Sequence, residues 1–252
     1  MKKILLILLA AVLIFGIASC SKKEQAAGEK KVITIASDAT WPPMEFVDEN
    51  KELVGFNIDL MHAAAEAGGY EIVIKNTAWD GIFAGLANGE YDAVCSSVTI
   101  TEERKETMDF SIPYVNAGQV LMVSADNNTD TLLADLKGKD VGAQIGTTGA
   151  IEIQNTEGVI LKTYDEIGLA IADLANGRIA GVVADAPIAA DFVLQNEEYK
   201  KSLKIVGVPF TDEYYGVAVK KGNKEVLDII NAGLKKVIDS GKAEELEDKW
   251  LR

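Results

Sequence analysis

Arg104 and Asp185 offer opposite charges from the two halves of a 252-residue chain. Arginine presents a planar fork of donors that grips a carboxylate through two parallel bonds. Aspartate presents acceptors that suit an ammonium group. Other residues could complete a small polar pocket around them: Ser96, Ser97 and Thr99 shortly before Arg104, and Gln144, Thr147 and Thr148 in the second half. The run Gly146-Thr147-Thr148-Gly149 precedes a helical pattern. Its backbone N–H groups and the positive helix end would also suit an anion. Trp41 and Trp79 could wall off an apolar side chain, or stack on a cation or planar amide. Asp38 adds an acid beside Trp41. Such a set can hold the zwitterionic head of an amino acid. Removing water strengthens these bonds, and leaving either charge unpaired is costly.

Each residue also has a plainer reading. Arg104, within Glu102-Glu103-Arg104-Lys105, could be a solvated helix charge. Asp185 could be only an N-cap, with Pro187 near the first helical position. Ser96 and Ser97 could fill a strand end, Thr147 and Thr148 could only cap a helix, and Trp41 before Pro42 could be a packed loop aromatic. Residue types alone favour a small polar ligand without singling out amino acids.

The elements that must position these residues alternate between strand and helix. Residues 32–36, 71–75 and 91–96 read as short apolar or β-branched strands. Between them fall helices at about 58–67, with Asn57 as N-cap and Gly68-Gly69 as the stop, and at 82–88, with Asp80 as cap and Asn88-Gly89 as the stop. The pattern restarts after residue 120: a short helix at 132–136, strands at 139–144, 159–162 and 179–184, and a helix at 165–175. Residues 86–94 and 174–182 align as two copies of a helix end, a left-handed cap and a buried strand. Strands at 203–208 and 215–220 and helices at 226–237 and 242–250 close the chain, with 209–213 as its return to the first half. This alternation argues for an α/β, doubly wound class. In such sheets ligands sit beyond the carboxyl ends of the strands, where Asp38, Ser96, Gln144 and Asp185 fall.

Length allows one or two domains at roughly 150 residues each. The net charge of −14 disfavours a phosphate backbone as partner. Lys2 and Lys3 precede an apolar run at 4–17 and then Ala18-Ser19-Cys20, which reads as a secretory signal over 1–19. Residues 20–30 read as a polar tether. Cys95, in an apolar run, is expected to be a buried small hydrophobe, and His62 a surface residue. No His/Cys cluster suggests zinc, and no cofactor is expected.

Longer stretches resemble a known family. Ser37-Asp38-Ala39-Thr40-Trp41-Pro42-Pro43-Met44-Glu45-Phe46, Gly55-Phe56-Asn57-Ile58-Asp59-Leu60, Trp79-Asp80-Gly81 and 92–104 are similar to the polar amino-acid-binding proteins of ABC importers. So are Gly146-Thr147-Thr148-Gly149, Asp185-Ala186-Pro187, 214–222 and Lys249-Trp250. The resemblance runs in order over about 32–252. It implies a two-lobed, type II periplasmic-binding-protein-like fold, with lobe one at 31–118 plus 213–252, lobe two at 119–212, and two hinge strands. It also implies that Arg104 grips the α-carboxylate with Ser97, Thr99 and the Thr148 amide, while Asp185 takes the α-ammonium. Trp41 and Trp79 match wall positions, and Asp38 lies where the ligand's side chain ends. Ile17-Ala18-Ser19-Cys20 resembles a lipobox, implying a lipid on Cys20 and an exported, membrane-anchored protein serving a permease. Gly149 lacks a side chain where some relatives carry Gln, and Gln144 stands where some are apolar. These features lean toward arginine or lysine, then glutamine, with histidine possible.

Two other functions compete. An enzyme on the same scaffold, such as a cyclohexadienyl or arogenate dehydratase, would need a general acid or base, for which Asp38 and Glu45 are the candidates. A sensory receptor domain is disfavoured by the absence of a further segment after Arg252. A monomer suits lobe closure.

Overall fold

The computed structural model describes residues 30–252. The expected signal, Cys20 and most of the tether lie outside the described residues. Among those described, no helix is long and apolar enough to cross a membrane.

Two five-stranded sheets form two lobes. In the first, Glu71–Asn76, Val32–Ser37 and Ala93–Val94 run parallel, and Ala218–Lys220 and Met108–Phe110 extend the edge with antiparallel pairings. In the second, Ile160–Tyr164, Asp140–Gln144 and Gly181–Asp185 run parallel, followed by antiparallel Gln119–Ser124 and Leu203–Val206. The two orders match, which is the structural form of the weak repeat. Gly89 and Gly177 both take the left-handed conformation that ends the preceding helix.

Helices cover the sheet faces because apolar residues recur along one side of each. Phe56–Gly68 buries Phe56, Leu60, Met61 and Ala64. It packs against Lys224–Asp239, which buries Val226, Ile230, Leu234 and Val237. In the second lobe Ile167–Ala175 buries Ile167, Ala170, Ile171 and Leu174.

The chain crosses between lobes twice. Val115–Asn116 pairs with Tyr214–Tyr215, and Ala117 N donates to Glu213 O at 2.8 Å. A Cβ at Gly118 would stand 2.2 Å from Thr211 O, so only glycine lets the two crossings lie this close.

Several elements differ from their sequence reading. The first helix starts after Gly55, not at an Asn57 cap; Asn57 is buried and bonds inward. Gly81, at φ 87°, caps Ile82–Asn88 in place of Asp80. Only Ala93–Val94 of residues 91–96 joins the ladder, because the chain then turns through Ser97 at φ 50°. The expected strand at 215–220 splits, since Tyr214–Tyr215 serves the crossing and Ala218–Lys220 serves the first sheet. A three-stranded meander of Thr40–Trp41, Glu45–Val47 and Leu53–Val54 carried no period-2 signal long enough to read.

Candidate functional site

The carboxyl ends of the parallel strands in both lobes face one interlobe cleft. Val32–Ser37 delivers Asp38, and Ala93–Val94 leads to Ser96 and Ser97. Asp140–Gln144 ends on Gln144 and Gly181–Asp185 ends on Asp185. The cleft is lined by Asp38, Trp41, Trp79, Ser96, Ser97, Thr99, Arg104, Gln144, Thr147, Thr148 and Asp185. All eleven expected residues therefore meet around one cavity.

Arg104 is placed by a short helix, Glu102–Thr107, whose N-cap Thr101 accepts from the Arg104 amide. The guanidinium turns inward. Nη1 donates to Thr99 O at 2.9 Å, and Nη2 donates across the cleft to Gly146 O at 3.1 Å. It lies 5.7 Å from the Trp79 ring centre and 5.3 Å from that of Phe83, so two aromatic faces hold it in place. Burial favours the neutral guanidine, and the charges of Asp185, Glu213 and Glu103 oppose that shift. The solvated-helix reading of Arg104 does not fit these contacts.

Asp185 occupies the N-cap position of Ala186–Ala190, yet its side chain makes no capping bond. It is 5% exposed and accepts a short hydrogen bond from Gln119 Nε2. Burial raises its carboxyl to about 7, assisted by the Glu213 charge. The nearby Tyr215 hydroxyl, Gln119 and Arg104 pull the other way. An acid held this far from water suits a cation that would restore its charge.

At the other end of the cleft, Gln144 Nε2 donates to Asp38 Oδ2 at 3.1 Å and to Asp165 O at 2.8 Å. Thr40 donates to Asp38 Oδ1 at 3.0 Å. Burial raises the Asp38 carboxyl as well, against these donors. Trp41 and Trp79 are 7% and 8% exposed. Trp79 Nε1 donates to Ile145 O at 2.9 Å in the opposite lobe. With Gln144–Asp38 and Arg104–Gly146, it joins the lobes across the cleft in a closed arrangement.

Thr147 caps Thr148–Asn155 by accepting from Ala150 N. Thr148 Oγ1 instead donates to Glu213 Oε2 at 2.6 Å, so only Thr147 is spent on the cap.

Four further residues support the lining. Glu45 is wholly buried behind it, accepting from Asn57 Nδ2 at 2.5 Å and from Ser96 Oγ at 3.4 Å. Asn57 also donates to Ser97 Oγ at 3.1 Å. Glu45 thus does not line the cavity, which removes one of the two expected general acid/base candidates. Burial raises its carboxyl well above the ordinary value. Gln119 sits beside Asp185 and Thr148, and Glu213 beside Thr99 and Thr148. Both lie at the hinge, where neither periodicity nor a recognised motif marked them.

Cys95 is buried, and burial pushes its thiol up, which leaves it inert. His62 is exposed. Among the described residues no acidic, histidine or cysteine cluster could hold a metal ion.

Residues 33–252 match the model of the bacterial extracellular solute-binding proteins, family 3. The chain is 36% identical to the "Probable histidine-binding protein" of Neisseria gonorrhoeae, over 90% of this chain and 85% of that one. It is 33% identical to ABC transporter arginine-binding protein 1 of Escherichia coli K12, over 100% and 99%. Among solved structures, an ancestral arginine-binding protein bound to arginine superposes with a TM-score of 0.84 at 39% identity, covering 89% of this chain and 100% of that one.

Proposed function

This chain belongs to the bacterial extracellular solute-binding proteins of family 3, and we propose that it captures a free L-amino acid in the interlobe cleft and delivers it to an ABC permease. The reading rests on one observation: Arg104 of the first lobe and Asp185 of the second line the same cavity. In this reading Arg104 binds the α-carboxylate, with Ser97, the Thr99 backbone N–H and the first turn of Thr148–Asn155. Asp185 binds the α-ammonium. The ligand's side chain runs between Trp41 and Trp79 toward Asp38, Ser96, Gln144 and Thr147.

Charge favours a cationic side chain. Asp38 and Asp185 line the cavity against the single guanidinium of Arg104, so the lining carries one excess negative charge when its acids are ionised. A ligand of net charge +1 balances it, and a neutral zwitterion does not. Arginine or lysine therefore ranks first, glutamine second through amide bonds to Asp38 and Gln144, and histidine remains possible. Relatives named for arginine and histidine accord with this order.

The dehydratase alternative is weaker. Relatives are named as binding proteins, and the Arg104–Asp185 pair suits retention of an intact amino acid. A monomer anchored at the outer face of the cytoplasmic membrane through a lipid on Cys20 completes the proposal. Mass spectrometry of the mature N-terminus tests that anchor.

The deciding experiment is calorimetry on protein unfolded and refolded to strip bound ligand, titrated with the twenty common amino acids. Micromolar or tighter binding of arginine or lysine is expected. Absence of heat with every amino acid, together with turnover of a cyclic carboxylic acid, would transfer the protein to the enzyme class.

A further inference from the structure

Glu213 lies outside the cavity lining, yet it touches lining residues of both lobes. Its backbone is pinned between the two crossings by the bond from Ala117 N. Its side chain turns into the interlobe space, where a single oxygen, Oε2, has three donor atoms within reach. These are Thr99 Oγ1 at 3.0 Å, Thr148 Oγ1 at 2.6 Å and Gln119 Nε2 at 3.3 Å. Thr99 belongs to the first lobe, and Thr148 and Gln119 to the second.

A hydroxyl has one proton and two lone pairs. When both threonine hydroxyls donate to Glu213, neither donates to the other across the 3.4 Å between them, and both act only as acceptors toward the cleft. Thr148 already accepts from Gln119 Nε2 at 3.1 Å. Thr99 therefore keeps the freer lone pairs, close to the position proposed for the α-ammonium. The second N–H of the same Gln119 amide points to Asp185, so its 3.3 Å approach to Glu213 is a shared bond and the two acids flank one donor group.

We propose that Glu213 is a positioning residue of the binding site. From the hinge it takes the hydroxyl protons of Thr99 and Thr148, sets Thr99 as an acceptor for the ligand's ammonium, and draws the two lobes together. The inference rests on the amino-acid reading above. Lobes that swing apart about the hinge cannot keep both threonines on one oxygen, so this junction belongs to the closed form alone. An interaction confined to the closed form raises the affinity of every ligand by the same factor.

The test compares L-arginine and L-glutamine binding to the full chain and to the Glu213→Gln, Thr99→Val and doubly substituted proteins. Glu213→Gln is expected to weaken both ligands by a common factor of about tenfold or more, seen in the dissociation rate. Thr99→Val weakens both as well. The double variant loses much less than the product of the two factors, because Glu213 acts through Thr99. Glu213→Asp, which keeps the charge on a shorter arm, recovers part of the loss and serves in the same cycle if Glu213→Gln fails to fold. Unchanged affinity in a folded Glu213 variant, losses that multiply, or a loss confined to one ligand would overturn the proposal. Wild-type protein that binds no amino acid overturns the functional reading and this inference together. Wild-type binding beside an unaffected Glu213 variant overturns this inference alone.

Discussion

Gln144 of the second lobe donates its side-chain amide to Asp38 of the first at 3.1 Å, inside the cleft. With Thr40 on its other oxygen, Asp38 has two of its roughly four acceptor sites filled. The remainder can receive a guanidinium or ammonium from a ligand's side chain. Asp38→Asn should therefore lower affinity for arginine and lysine by about 1.5–3 kcal/mol, the worth of a hydrogen bond to a charged group. Glutamine, whose amide bonds an amide almost as well, should lose less, so the ranking of ligands narrows or inverts. Competition of each amino acid against labelled arginine measures the ratio, and an unchanged ratio would place the ligand's side chain elsewhere.

Arg104→Ala or Asp185→Ala should each cost about 2–5 kcal/mol of binding, largely because the partner charge is left buried and unpaired. Neither change should unfold the protein. Each charge is held by burial at a cost, so its removal relieves the ligand-free fold. Calorimetry for affinity and thermal unfolding without ligand separate the two effects. Near wild-type affinity in both variants would refute the assignment.

How far the sequence reached follows from which signals are local. The strand ends were legible because short β-branched runs stop at polar residues, and sheet physics places ligands there. That reasoning found Asp38 and Ser96 in the first half of the chain and Gln144 and Asp185 in the second. The αβ repeat at 86–94 and 174–182 was legible for the same reason: a left-handed glycine after a helix is a one-residue signal. Asn57 misled, because its type suits a cap while its side chain is drawn inward by Glu45, twelve positions earlier. Glu213 and Gln119 were not legible. Their partners lie 114 and 66 residues away, and no periodicity links positions so far apart.

The pH dependence of binding follows from Asp185, whose carboxyl holds its proton up to about pH 7 in the closed, ligand-free form. Unfolded aspartate titrates near ~3.9. A raised value means that the folded form binds the proton more tightly. The group's contribution to stability is thus complete below about pH 4 and is lost as pH rises to about 7. Ligand binding has the opposite sign, because the ammonium pairs with the ionised carboxylate. Affinity should climb from about pH 5 to about pH 7 and then level off, with a proton released on binding below that plateau. Titrations in two buffers of different ionisation heat measure the release. Constant affinity across that window, with no buffer dependence, would exclude Asp185 as the ammonium partner.

Glu45 supplies a test of the support behind the site. The side chain is fully buried, its carboxyl is raised well above the ordinary value, and desolvation is the leading cause. Its bonds from Asn57 and Ser96 hold two residues that stand against Ser97 and Asp38. As with Asp185, the raised value means stability is greatest in acid and falls as pH rises through the folded pKa. Holding the acid neutral costs about 1.4 kcal/mol for each pH unit above its unfolded value. Glu45→Gln keeps the shape and removes the proton. The variant should match wild type near pH 4 and become progressively more stable than it toward neutral pH, with ligand affinity changed little. Glu45→Ala should instead weaken binding, since it frees Asn57 and Ser96. Denaturant unfolding of both variants across pH decides the matter: a Glu45→Gln protein less stable than wild type at neutral pH would mean that the carboxyl is ionised and held by donors, not neutral.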